Sequence, residues 1–246
     1  MFAIFKREFA SYFTSPLGYI VLAIYVFFSA LFTMLMYYGT GYSYSIADAI
    51  APMLYFALFI IPPITMRSFT EDKKNRTDQL LLTAPVKVSS VVFGKYLSAF
   101  ALYLICCMSY VLYVLVTFLI VPDAVVEWGV MASALIGLVL LGGAMLAINL
   151  LYSSLTESQI LAVVIGMGTG LLVMIYDNIV MSVESVISQM TSSDYSAVVL
   201  DKLSVTAHYQ NFISGVISPA NFVFFLTWIG LFLFLTMRVL DKKRWA

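Results

Sequence analysis

The chain has 246 residues, 62% of them apolar and 11% charged, with 13 Lys and Arg against 13 Asp and Glu and a formal net charge of zero. A soluble domain is about 45–50% apolar and about 25% charged, and a globule of this size retains too much surface to hide such an excess. The composition excludes an ordinary water-soluble domain and points to a membrane, and the zero net charge offers nothing to nucleic acid.

Residues 1–15 set apolar Phe2, Ile4, Phe5, Phe9, Tyr12 and Phe13 against Lys6, Arg7 and Glu8. Interleaved charge without a small-residue cleavage site argues against a signal peptide and for a short amphipathic helix in the headgroup plane. Ser15 and Pro16 then turn the chain into a span, since proline suits a first helical turn. A spanning helix needs about 20 mostly apolar residues. Six segments qualify: about 18–38, 51–66, 96–120, 128–152, 159–179 and 220–238. Their apolar runs are continuous, which favours helices over the alternating strands of a barrel. The expected fold class is an all-α polytopic membrane protein forming one domain. Pro62 and Pro63 are expected to bend or end the second span.

With the N-terminus in the cytoplasm, the inside segments hold twelve of the thirteen basic residues, and only Lys202 falls outside. The positive-inside rule therefore puts both termini in the cytoplasm. Residues 67–95 become the one sizeable cytoplasmic loop. Residues 180–219 become an extracytoplasmic segment in which VESVISQM and YSAVVLDKLSV read as short helices against the outer face, and FISGVISPANF leaves a re-entrant turn open.

Few ionisable groups sit deep in the spans, which argues against an ion-coupled pump. Cys106 and Cys107 are adjacent in a helical run and read as buried apolar side chains with no disulfide, redox or metal role. Gly166, Gly168 and Gly170, like Gly142 and Gly143, lie in apolar helices and suit close helix packing, not a dinucleotide. Asn149 is placed to bond across a helix interface. Tyr25, Tyr103, Tyr110 and Tyr113 would pack helices, face lipid or line a route for an apolar cargo. His208 reads as a structural hydrogen-bonding residue outside the membrane.

The loop opens with Glu71, Asp72, Lys73, Lys74, Arg76, Thr77 and Asp78 and continues to Leu80, Leu81 and Leu82 before Pro85. Thr70 is a candidate cap, and Glu71 and Asp72 suit a helix N-terminus. A Leu cluster beside dense charge is what a docking helix needs, with apolar anchors and a polar rim. A solvated loop that merely obeys the positive-inside rule has the same composition. If one helix runs through residues 71–83, Arg76 faces either a partner or Asp72, four residues earlier.

The stretch MRSFTEDKKNRTDQLLLTAPVKVSSVVFGKYLSAF resembles the cytoplasmic signature of type-2 (ABC-2) ABC transporter permeases, especially their gliding-motility and NosY-like branch. Met66, Arg67, Phe69, Glu71, Thr77, Leu80, Leu81, Thr83, Pro85, Gly94 and Lys95 carry the likeness. SSLTESQILAVVIG at 153–166 and residues 208–245, with His208, Phe212, Gly215, Arg244 and Trp245, extend it. The chain departs from the pattern at Arg76, where the family has Gly, and at Asp78 and Gln79, where it has Glu ahead of the Leu run. The resemblance implies that 1–15 is an elbow helix and 71–83 a coupling helix receiving an ATPase.

The resemblance further implies a dimer of permease copies, or of this chain and a paralogue, with two ATPase subunits that bind ATP and Mg. No GxxxxGK[ST] motif occurs here, so the chain is expected to hold no cofactor and hydrolyse no ATP itself. The expected function is export of a substrate that the sequence does not name. The alternative is a non-transporting anchor through which an ATPase drives an extracytoplasmic auxiliary protein.

Overall fold

The computed structural model describes residues 1–38, 46–77, 86–120, 127–190 and 204–245. Helix α1 (Phe2–Thr14) ends at extended Ser15, and Pro16 opens α2 (Pro16–Thr33), which continues in a π turn (Met34–Tyr38). A 3₁₀ turn (Ile46–Ile50) leads into α3 (Met53–Thr65) and α4 (Arg67–Lys74). Then come α5 (Val88–Cys107), α6 (Ser109–Ile120), α7 (Trp128–Leu155), α8 (Gln159–Met190), α9 (Val205–Ile213) and α10 (Pro219–Trp245). Among the described residues, six helical stretches are long and apolar enough to cross a membrane: Pro16–Met36, Met53–Lys74, Val88–Thr117, Trp128–Leu155, Gln159–Tyr176 and Pro219–Lys242. The protein is an all-α polytopic membrane protein.

Helix α7 is the axis of the bundle. It packs on α3, α5, α9 and α10, and most of its side chains from Leu138 onward are buried. Small residues make this possible. A Cβ added to Gly142 would fall within the ring of Tyr103, whose hydroxyl donates to the Leu138 carbonyl at 3.1 Å. Gly166 and Gly170 of α8 meet Asn149, Pro62 and Leu58, whereas nothing among the described residues lies within 4 Å of a Cβ at Gly168. Tyr25, Tyr103 and Tyr110 are fully buried, so they pack helices instead of facing lipid. Cys106 and Cys107 are free and buried. Asn149 spends its Nδ2 on Met145 of its own helix, 2.8 Å away, and bonds to no other helix among the described residues.

Several expected boundaries shift. The two prolines do not end the second span. Regular helix passes through both to Thr65, and Met66 keeps helical angles (φ −53°, ψ −36°), so α4 prolongs α3 almost without a break. Packing of neighbouring helices lets membrane helices tolerate proline in this way. The third span begins at Val88, which puts Gly94 and Lys95 inside a helix and not in a loop. VESVISQM is the end of the long helix α8, not a separate surface helix. Residues 191–203, which hold most of YSAVVLDKLSV, lie outside the described residues. Helix α9 is packed into the bundle: Val205, Tyr209, Phe212 and Ile213 are buried, and Phe212 sits on Gly137. His208 makes the structural contact expected of it, with Nδ1 2.7 Å from Asn221 Oδ1 and its ring stacked on Phe224.

Candidate functional site

The polar block, the amphipathic N-terminus and the start of the third span meet at one end of the bundle. Gly94 brings α1 there. A Cβ at this position would stand 3.0 Å from Ile4 Cγ2 and 3.3 Å from the Met1 carbonyl, so only glycine leaves α1 room to lie on α5 without adjustment. Tyr12, on the same helix, donates to the Ile64 carbonyl at 3.0 Å and so ties α1 to α3. Burial raises the pKa of this phenol, which keeps it a donor.

Next to Gly94, Lys95 is 1% exposed. An unpaired ammonium at such a position would cost several kcal/mol in lost hydration. Three oxygens stand around its nitrogen. Glu8 Oε1 of α1 accepts at 3.1 Å, the Ser68 carbonyl of α4 accepts a short bond, and Asp72 Oδ2 of α4 forms an ion pair at 2.7 Å. The ring of Phe69 lies 5.1 Å from the nitrogen and adds a cation–π contact. One side chain thus fastens α1, α4 and α5 together. Glu8 also accepts from Arg7 at 2.6 Å, so each acid at the junction has its cation.

A second lysine fastens α4 to α7. Lys73 Nζ donates to the carbonyls of Ser154 (2.6 Å) and Thr156 (2.7 Å) at the end of α7. Those carbonyls lack intrahelical partners, and a cation there also complements the helix dipole. Ser153 Oγ completes the seam, accepting from the Phe69 N–H at 3.0 Å and donating to the Met66 carbonyl at 3.3 Å.

The remaining residues of the block separate by role. Glu71 takes two bonds from Arg67, at 2.8 and 3.1 Å, while the third guanidinium nitrogen donates to Ser15. Lys74 and Arg76 are exposed. Thr77 Oγ1 donates to the Asp72 carbonyl (3.2 Å) and its carboxylate (3.0 Å). Thr70 is no cap: it lies inside α4, with its hydroxyl donating to the Met66 carbonyl. Asp78, Leu80, Leu81 and Leu82 lie outside the described residues.

Of the two arrangements open at Arg76, the described residues show a break and not one unbroken helix. Helix α4 stops at Lys74, and Arg76 has φ +56°, the left-handed region that glycine enters freely. The Asp72–Arg76 helical pair is therefore replaced by Asp72–Lys95. Sequence reasoning passed over Glu8 and Ser153 as site residues and used Lys95 only as part of a motif. The adjacent Gly94 and Lys95 were the available signal, one making room for α1 and the other fixing it.

A family model for ABC-2 family transporter proteins matches residues 35–236. The chain belongs to the ABC-2 transporter family. Asp72, Lys95 and Ser153 lie within the matched stretch of this ABC-2 chain, and Glu8 precedes it. No curated protein matches the chain. ABC-2 permeases are non-catalytic membrane components that work with ATPase subunits, and among the described residues no group of His, Cys, Asp or Glu could hold a metal ion.

Proposed function

We propose that this chain is the membrane half of an ABC exporter of the gliding-motility and NosY-like branch. It pairs with a second copy or a paralogue and carries two ATPase subunits that bind ATP and Mg. The junction end faces the cytoplasm, as the twelve inside basic residues favour. Residues 71–83 receive the ATPase, and α1 is the elbow helix.

The observation that carries this reading is the buried Lys95 contact set. A force applied at the tip of α4 reaches α1 and the base of α5 through Lys95, and the end of α7 through Lys73. ATP-driven closure of the ATPases would then shift the balance between inward- and outward-facing arrangements of the spans by differential contact with each. Purification of the chain from native membranes is expected to bring a separately encoded ATPase with it. Recovery of the chain with no ATPase, under detergent conditions that preserve other ABC complexes, would remove this reading.

A further inference from the structure

Helices α8 and α10 each pack on α7 and leave a recess of about 580 Å³ between them. Helix α7 contributes Ile148 and Tyr152, α8 contributes side chains from Thr169 to Ile179, and α10 contributes Trp228 and Phe232. Ile148 is buried at its base, while Leu172, Ile175 and Ile179 are exposed at its edge. The recess runs along the spanning stretches Trp128–Leu155, Gln159–Tyr176 and Pro219–Lys242, so its open side faces hydrocarbon. Among the described residues no Asp, Glu, Lys, Arg or His lines it, and its Thr169 and Tyr152 hydroxyls bond to each other at 2.9 Å. It suits an occupant that is apolar and carries no charge into it.

We propose that this recess holds one acyl chain of a membrane phospholipid. Size decides between a chain and a helix of a second copy. Thr169 to Ile179 covers about 15 Å of helix, which leaves the volume a mean cross-section of about 40 Å². A helix about 10–12 Å across needs about twice that or more. A flexible hydrocarbon chain fits the width and touches apolar side chains of three helices, and such contacts are small singly but add up. The headgroup stays outside the recess, which offers it no charge. The site requires only that the bundle spans a membrane and is independent of any ATPase.

Trp228 serves as the reporter, in the full chain with Trp128 and Trp245 replaced by Phe, stripped of lipid in detergent. Phosphatidylcholine with brominated acyl chains, which quench indole fluorescence on contact, is then titrated in. Quenching is expected to saturate near one lipid per chain. Val173→Phe, which fills the recess from the α8 side, is expected to raise the lipid concentration needed about tenfold, the effect of losing about 1.4 kcal/mol of contact. Phe232→Ala, which removes one wall, should do the same and carries the test if the Val173 variant does not fold. Quenching that rises with lipid without saturating, or that neither variant alters, is contact with bulk lipid and would overturn the proposal. So would quenching that is absent in a dimer and appears on its dissociation, which would put a second copy in the recess. Saturation by a brominated fatty acid and not by the phospholipid would overturn the choice of phospholipid.

Discussion

Lys95 Nζ and Asp72 Oδ2 stand 2.7 Å apart, on different helices, with the lysine 1% exposed. Breaking a buried pair costs about 3–5 kcal/mol, because it leaves a charge without its partner. Lys95→Met should therefore lower stability by that order by stranding Asp72, while Glu8 keeps Arg7. Adding Asp72→Asn should cost less than the two single losses summed, since each removes the same interaction. Thermal unfolding in detergent across the double-mutant cycle measures this. Strict additivity would mean that the pair is not coupled.

The glycines give a contrast within one protein. Gly142→Ala forces a methyl into the Tyr103 ring, and overpacking of this kind costs about 1–3 kcal/mol. Gly168→Ala meets nothing among the described residues and removes a flexible residue from a helix, so it should be neutral or stabilising by up to about 1 kcal/mol. The unfolding midpoint of the Gly142 variant is expected to fall and that of the Gly168 variant to stay or rise.

At Arg76 the structure reverses what a continuous helix implies. A left-handed residue with a Cβ is strained by about 1–2 kcal/mol, so Arg76→Gly should match or exceed the stability of Arg76→Ala. A clearly less stable Gly variant would return this position to a helix. The measurement is the unfolding midpoint of each variant in the same detergent.

Lys73→Met removes the cation that satisfies the Ser154 and Thr156 carbonyls. A helix-end cation contributes about 0.3–1 kcal/mol when exposed and up to about 2 kcal/mol when partly buried. Amide hydrogen exchange in the last turn of α7 should quicken, with the rest of that helix unchanged.

The spans were legible because bilayer thickness imposes a length and a composition that a sequence displays openly. The lessons lie at the helix ends. Pro62 and Pro63 looked like a bend or a stop, yet α3 and α4 continue through them because α7 and α8 pack alongside. At the site, the charges themselves were plain to read, but not which of them turns inward. Asp72 and Lys74 are neighbours in a polar block, and only the approach of α5 buries one and leaves the other exposed. Glu8 read as one charge of an interfacial helix because its partner lies far along the chain, and local spacing cannot report a contact made by tertiary packing. Arginine is a good helix former, so nothing local decided between helix and turn at Arg76, where the Thr77–Asp72 bonds close a turn.

The central claim, that the junction end of the bundle receives an ATPase, is tested most directly by photocrosslinking in native membranes. A photoreactive residue is placed at Lys74, on the exposed tip, and separately at Gly129, near the opposite end of α7. The account predicts an adduct with the separately encoded ATPase from position 74 and none from position 129. ATPase adducts from position 129 alone, or none from position 74 in membranes where the ATPase co-purifies with the chain, would contradict it.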